Sequence, residues 1–295
     1  MPLTRIVLLL TVCTGFSFAD LLVSRGTLGV DRYSNSGTFL GNLIAPGSGG
    51  LVDAQGVAVG PNGDLFVGDF STSRILRFSS DGTFLNVFSS DAAIDTPFDV
   101  VFGPGGDLYV ASAGPTSNIA RLDGTTGALV TANFTSGNPQ PIGGPQYLEF
   151  GPNNVLYITD IAGRLFRFNS LTGMWISTSF YDNPEGVAYG PDDFVYLVQR
   201  ISDNVLRIPP LGGPSNIVIP NGAFTGTPQD IEFGPNGLIY LSADRIYRFD
   251  TSGTLVDSFG TGGEFITFFE PIPEPSTYGL MLAALAAGVV VRRTR

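Results

Sequence analysis

Five stretches decide the fold: GVAVGPNGDLFVGD (Gly56–Asp69), DVVFGPGGDLYVAS (Asp99–Ser112), YLEFGPNNVLYITD (Tyr147–Asp160), GVAYGPDDFVYLVQ (Gly186–Gln199) and DIEFGPNGLIYLSA (Asp230–Ala243). Each is a short apolar run, a Gly-Pro turn and a second apolar run. Their prolines, Pro61, Pro104, Pro152, Pro191 and Pro235, recur at spacings of 43, 48, 39 and 44 residues. After each stretch comes an arginine unit: Ile75-Leu76-Arg77-Phe78, Ile119-Ala120-Arg121-Leu122, Leu165-Phe166-Arg167-Phe168, Val205-Leu206-Arg207-Ile208 and Ile246-Tyr247-Arg248-Phe249. A sixth unit, Val30-Asp31-Arg32-Tyr33, stands upstream with no Gly-Pro turn before it.

Each repeat reads as four short strands. In Gly-Pro-Asn-Gly the proline presets φ and the Asn-Gly pair accepts positive φ, so the chain reverses there. The second strand is apolar on both faces, as in a sheet covered on both sides; the third carries the arginine, and a fourth follows turns such as Asp81-Gly82 and Ser252-Gly253. Four-stranded units at this period are the signature of a β-propeller. Six arginine units predict an all-β fold of six four-stranded blades. The first blade lacks its inner strand, and Glu264–Phe269 (EFITFF), beyond the last complete repeat, is the natural donor to pair with Leu21–Ser24. Such closure removes the free edges of an open ring.

Outside the repeats, both ends read as addresses. Residues 1–19 (MPLTRIVLLLTVCTGFSFA) hold Arg5, an apolar stretch from Ile6, and small residues at Ser17 and Ala19 before Asp20, the pattern of a secretory signal peptide. A lipoprotein signal at Cys13 would need a small residue where Val12 stands. At the other end Pro273-Glu274-Pro275 precedes the apolar run Tyr278–Val291 and then Arg292-Arg293-Thr294-Arg295. The run is shorter than the roughly 20 residues of a typical spanning helix, but flanking Thr277 and the snorkelling arginines extend it, and an arginine cluster favours the cytoplasmic side. The expected organisation is therefore a signal peptide at 1–19, a propeller at 20–270, and a sorting signal with a transmembrane helix at 271–295.

The order Pro-Glu-Pro, hydrophobic helix, Arg-rich terminus resembles the PEP-CTERM sorting signal, with Pro273, Glu274, Pro275, Arg292, Arg293 and Arg295 as the matching residues. The resemblance implies export, anchoring in the inner membrane by the tail, cutting by an exosortase-type enzyme, then release to the cell surface or extracellular matrix in a system associated with biofilm polysaccharide. The repeat consensus resembles NHL repeats and the gluconolactonase-like and streptogramin-lyase-like six-bladed propellers. The gluconolactonase likeness implies one divalent metal held by Glu, Asn and Asp, for which Glu185 or Glu149, Asn204 and Asp230 are the nearest types. The streptogramin-lyase likeness implies a catalytic histidine.

Composition narrows the chemistry. There is no histidine, the 15 basic residues are all arginine, and Cys13 is the sole cysteine. Histidine bases and ligands, lysine Schiff bases and P-loop lysines are therefore excluded. A net charge of −11 argues against nucleic acid as a partner. Carboxylate, hydroxyl, amide and arginine chemistry remain.

Polar residues at or near the starts of the inner strands are the candidates for a channel-mouth site: Gln55, Asp99, Gln146, Glu149, Glu185, Gln229, Asp230 and Glu232, with Asn204 added from the resemblance. If several converge, an oxygen-ligated Ca²⁺ or Mg²⁺ is reasonable; otherwise they cap strands or hold channel water. The six arginines read as an anion-binding ring or, on the bland view, as side chains paired with carbonyls and a neighbouring blade's carboxylate. Arg74, Asn118, Arg164, Asn204 and Arg245, at the turn into the arginine strand, are expected at the surface. Phe66, Tyr109, Tyr157, Tyr196 and Tyr240 share one repeat position and are expected between blades. Two functions follow: an exported non-enzymatic propeller binding a polysaccharide or surface protein, or a metal-dependent lactone or ester hydrolase.

Overall fold

The computed structural model describes residues 19–269; the signal peptide and the sorting helix expected from the sequence lie outside the described residues. Six antiparallel sheets of four strands each make a closed ring. The second blade is typical: Ala54–Val59, Leu65–Asp69, Arg74–Phe78 and Phe84–Ser89, ordered from axis to rim. Corresponding inner strands are Pro97–Phe102, Pro145–Gly151, Pro184–Tyr189 and Asp230–Phe233 in blades three to six.

Blade one is completed as expected. Phe265–Phe269 supplies its inner strand and pairs antiparallel with Asp20–Ser24, with Asp20 opposite Phe269 and Ser24 opposite Phe265. All five residues of Asp20–Ser24 are buried, so the C-terminal strand covers a surface that would otherwise be an unpaired apolar edge.

The Gly-Pro turns do what their sequence predicts. Gly63, Gly106 and Gly237 take φ of 81°, 83° and 76°, and where glycine is replaced Asn153, Asn154 and Asp193 take φ near 60°. These residues tolerate the left-handed region better than most. In blades two to six the second-strand aromatic packs against an inner-strand aromatic of the next blade: Phe66 on Phe102 and Tyr109 on Phe150 at 5.0 Å, Tyr157 on Tyr189 at 6.5 Å, Tyr196 on Phe233 at 4.8 Å, Tyr240 on Phe268 at 4.9 Å. Most are edge-to-face, the arrangement that aligns the ring quadrupoles.

The repeated arginines form no anion ring. Arg32, Arg77, Arg121 and Arg207 pair with Asp20, Asp64, Asp107 and Asp192 at 2.5–2.7 Å, and Arg248 pairs with Asp257. In every pair the carboxylate comes from the same blade, not from a neighbouring one. A β-hairpin brings the arginine and its acid together locally, with no inter-blade contact required. Arg167 of blade four is the exception: it is fully buried, donates Nε–H to the Pro210 carbonyl and Nη1 to Ser179, and leaves Nη2 without a partner. The second polar set is also corrected. Asn118, Arg164 and Asn204 are buried, because Arg164 pairs with the fully buried Asp160 and Asn118 donates to the Ala93 carbonyl.

Candidate functional site: a blind acidic channel

The inner strands are in register, so equivalent positions can be followed round the ring. At the position five residues before the Gly-Pro proline, and its equivalent in blade one, the order is Gly56, Asp99, Tyr147, Gly186, Asp230, Phe265: glycine, aspartate, aromatic, twice over. A Cβ on Gly56 would lie 2.6 Å from Asp99 Cα and Oδ1, and one on Gly186 would lie 2.6 Å from the same atoms of Asp230. The glycines therefore let each aspartate strand come close. Each aspartate then ties two strands together. Asp99 Oδ1 accepts the Val100 N–H at 2.7 Å and Oδ2 accepts the Leu148 N–H of the next blade at 2.8 Å. Asp230 does the same with Ile231 at 2.8 Å and Ile266 at 2.9 Å.

The aromatic positions close one end of the channel. Tyr147 and Phe265 belong to opposite blades, yet their ring centroids are 4.6 Å apart, and Phe98 packs on both at 5.7 and 5.3 Å. Rings from opposite sides meet only on the axis. Tyr147 OH also donates to the Glu264 carbonyl at 3.0 Å. Beyond this plug lies a cavity of about 310 Å³ walled by Asp99, Glu149, Asp230, Glu232, Thr267 and apolar residues that include Val57, Val187 and Phe102. Asp99 and Asp230 are buried, whereas Glu149 and Glu232, two positions along, are half-buried. The cavity therefore opens toward the Gly-Pro turns.

No arginine side chain lines this cavity. Burial holds the Asp99 carboxyl up at about 7, against two backbone N–H groups that pull it down. Burial likewise raises Glu149 to about 8, the Tyr189 N–H at 3.1 Å opposing and Asp99 and Asp230 adding to the rise. Asp230 and Glu232 are pushed well up, chiefly by burial and then by the neighbouring acids. Glu149 lines the narrow channel, where a side chain with some accessible surface is still desolvated by the surrounding walls. Burial thus shifts all four chamber carboxyls toward their protonated forms.

The remaining sequence candidates lie elsewhere. Glu185 is on the far side of the plug, buried, accepting from Gln146 at 2.9 Å and Arg200 at 3.1 Å. Gln55 sits at the same end and donates to Asp53 at 3.3 Å. Asn204 begins the third strand of blade five opposite Gln199 and does not line the cavity. Four of the nine candidates, Asp99, Glu149, Asp230 and Glu232, thus come together. Among the described residues no three acidic side chains approach closely enough to hold a metal ion. The plug residues Phe98, Tyr147 and Phe265 and the two glycines were not singled out from the sequence.

The PEP-CTERM protein-sorting motif matches residues 271–295, and an NHL repeat matches residues 51–78. The chain carries a sorting tail. That motif implies export, anchoring through the C-terminal region and processing by an exosortase-type enzyme. No curated protein matches the chain in sequence. Among solved structures it is similar to XC5397, a gluconolactonase from Xanthomonas campestris, at 17% identity and a TM-score of 0.60 over 71% of this chain and 76% of that one. It is also similar to a catalytically inactive histidine-to-alanine variant of virginiamycin B lyase from Staphylococcus aureus, bound to quinupristin, at 16% identity and 0.58 over 89% and 87%. A chain of the nidogen/laminin complex gives 14% identity and 0.67 over 85% and 98%. At these identities the likeness is one of fold.

Proposed function

We propose that this protein is an exported binding module whose blind acidic channel takes up a cationic group presented by a surface polymer or protein, without turning it over. The observation that carries this reading is the set of four channel carboxyls, Asp99, Glu149, Asp230 and Glu232, in a cavity that no cationic side chain lines. Two of them already spend an oxygen pair on backbone amides, which suits a rigid acidic wall better than a labile metal-ligand set. The sorting tail supports export, and an extracellular matrix of the biofilm kind is the setting that the tail's resemblance suggests.

A metal-dependent lactone or ester hydrolase is the second reading, favoured by the similarity in fold to a gluconolactonase. It would require Ca²⁺ or Mg²⁺ held by Glu149, Asp230 and a third oxygen ligand. Asn204, the amide that the resemblance pointed to, is on the blade's third strand and off the cavity wall. A lyase mechanism of the virginiamycin type has less support, since the solved lyase is inactivated by losing a histidine and this chain has none.

Thermal melting of the mature domain with calcium, magnesium and the polyamine spermidine separates the readings. Binding without turnover predicts that spermidine raises Tm at pH 8 and that Glu149→Gln with Glu232→Gln abolishes the rise, with no hydrolysis of aldonolactones or aryl esters. A rise with calcium or magnesium alone, accompanied by lactone turnover, would establish the hydrolase instead.

A further inference from the structure

The direction of the closing strand orients the molecule on the membrane. Glu264 lies at the plugged end, where its carbonyl takes the Tyr147 hydroxyl. Phe268 lies at the other end, close enough that a Cβ on Gly234 would be 3.0 Å from its ring. The chain therefore leaves Phe269 on the axis at the Gly-Pro face, beside the open mouth of the acidic channel. Only eight residues, 270–277, separate it from the apolar run that begins at Tyr278. At about 3.1 to 3.6 Å per residue they reach under about 30 Å. Turning the plugged face to the bilayer would require the tether to cross four strands at about 4.8 Å each and then a strand length of about 17–20 Å. That path is longer than the tether.

The Gly-Pro face also has a sector suited to lipid. The tips joining third and fourth strands carry Asp81, Asp123 and Asp250 in blades two, three and six; the tip of blade one, residues 34–38, is uncharged but polar, and those of blades four and five, which begin at Asn169 and Pro209, are uncharged and apolar. Those two tips expose Leu171, Met174 and Leu211 by 62%, 61% and 67%. The Leu171 tip belongs to this face, because the Ser170 N–H donates to Asn154 of the Gly-Pro turn at 2.8 Å. Exposed apolar tips such as Ile161 and Ile201 also occur on the plugged face, so the tether, not apolarity alone, selects the orientation.

We infer that the tail-anchored protein rests on the bilayer through its Gly-Pro face, with the uncharged apolar tips of blades four and five in the lipid interface and the acidic channel mouth turned toward the membrane. Processing of the tail then frees the mouth, so the channel becomes available to bulky ligands on release. The inference rests on anchoring by the sorting tail and is independent of what the channel binds.

The test uses residues 20–295, which hold no cysteine, with single labels at Leu171→Cys or Ile201→Cys. Each is reconstituted in phosphatidylethanolamine/phosphatidylglycerol vesicles containing shallow doxyl lipid, and flotation is measured on the same samples. The expected result is that the protein floats and doxyl lipid quenches the fluorophore at Leu171→Cys but not at Ile201→Cys. Flotation with quenching at Ile201→Cys, at both sites equally or at neither overturns the orientation while leaving anchoring intact. Failure to float overturns both. Because both sites are exposed tips, labelling leaves the core untouched, and a melting curve on each labelled chain verifies its fold.

Discussion

Replacing Glu149 with glutamine should stabilise the unliganded domain, and the effect should depend on pH. The carboxyl titrates at about 8 in the fold against 4.5 in the unfolded chain, because burial disfavours its charge. A raised pKa means that the fold holds a proton which the unfolded chain has released. Its contribution is thus fully present below about pH 4.5 and is lost as pH rises toward 8. At pH 7 the gap between ambient pH and the unfolded value corresponds to about 3 kcal/mol at 1.36 kcal/mol per unit, an upper bound that relaxation of the channel reduces. Glutamine keeps the one hydrogen bond the side chain makes, to the Tyr189 N–H, and has no charge to desolvate. We expect Glu149→Gln to gain about 1–3 kcal/mol over the parent at pH 7–8.5 and little at pH 4. Urea unfolding of residues 20–270 across that range measures it. A variant less stable than the parent at pH 8, or a difference that does not change with pH, would refute the reasoning that this carboxyl is held desolvated and uncompensated.

Gly186→Ala should cost about 1–3 kcal/mol by overpacking, since its Cβ would meet backbone Cα of Asp230 at 2.6 Å; a melt within a degree of the parent would show that the blade seam can give. Ser177→Asp should raise stability by about 1 kcal/mol, because Ser177 faces Arg167 as Asp257 faces Arg248, and both Arg167 Nη2 and Ser177 Oγ lack partners; a lower Tm in a melting scan would count against that pairing. Truncation before Glu264 removes the inner strand of blade one and uncovers Asp20–Ser24, so the product should lose cooperative unfolding and aggregate on size-exclusion chromatography. A monomer with a sharp transition would mean that the ring does not need its closing strand.

The fold was legible because its signals are local and repeated. Gly-Pro-Asn-Gly dictates a turn wherever it falls, and EFITFF had no partner except the strand-deficient first blade. The site was legible only in part, because its geometry depends on how inner strands align across blades. The initial letters of the five opening segments, G, D, Y, G and D, already hold the alternation of glycine, aspartate and aromatic that builds the chamber wall and its plug. Reading that column needs the knowledge that opposite blades face each other, which is how Tyr147 meets Phe265. Asn204 was grouped with the channel by residue type and Glu185 by repeat position, and the structure separates the first by strand number and the second by the plug. The arginine pairs were misassigned to neighbouring blades because their acids stand at different repeat positions: Asp64 and Asp107 before the second strand, Asp192 two residues earlier, Asp257 on the fourth.

The central claim is that the channel is a cation site held protonated until its ligand arrives. Isothermal titration of the mature domain with spermidine at pH 7, in phosphate and in Tris, tests it most directly. The account predicts saturable binding whose heat differs between the two buffers by release of about one proton or more, as Asp99 near 7 and Glu149 near 8 ionise. The share released by Asp99 and Glu149 should vanish above about pH 9, where both are already charged, and release should fall in Glu149→Gln. Binding with no buffer dependence, or no saturable heat at all, would contradict it.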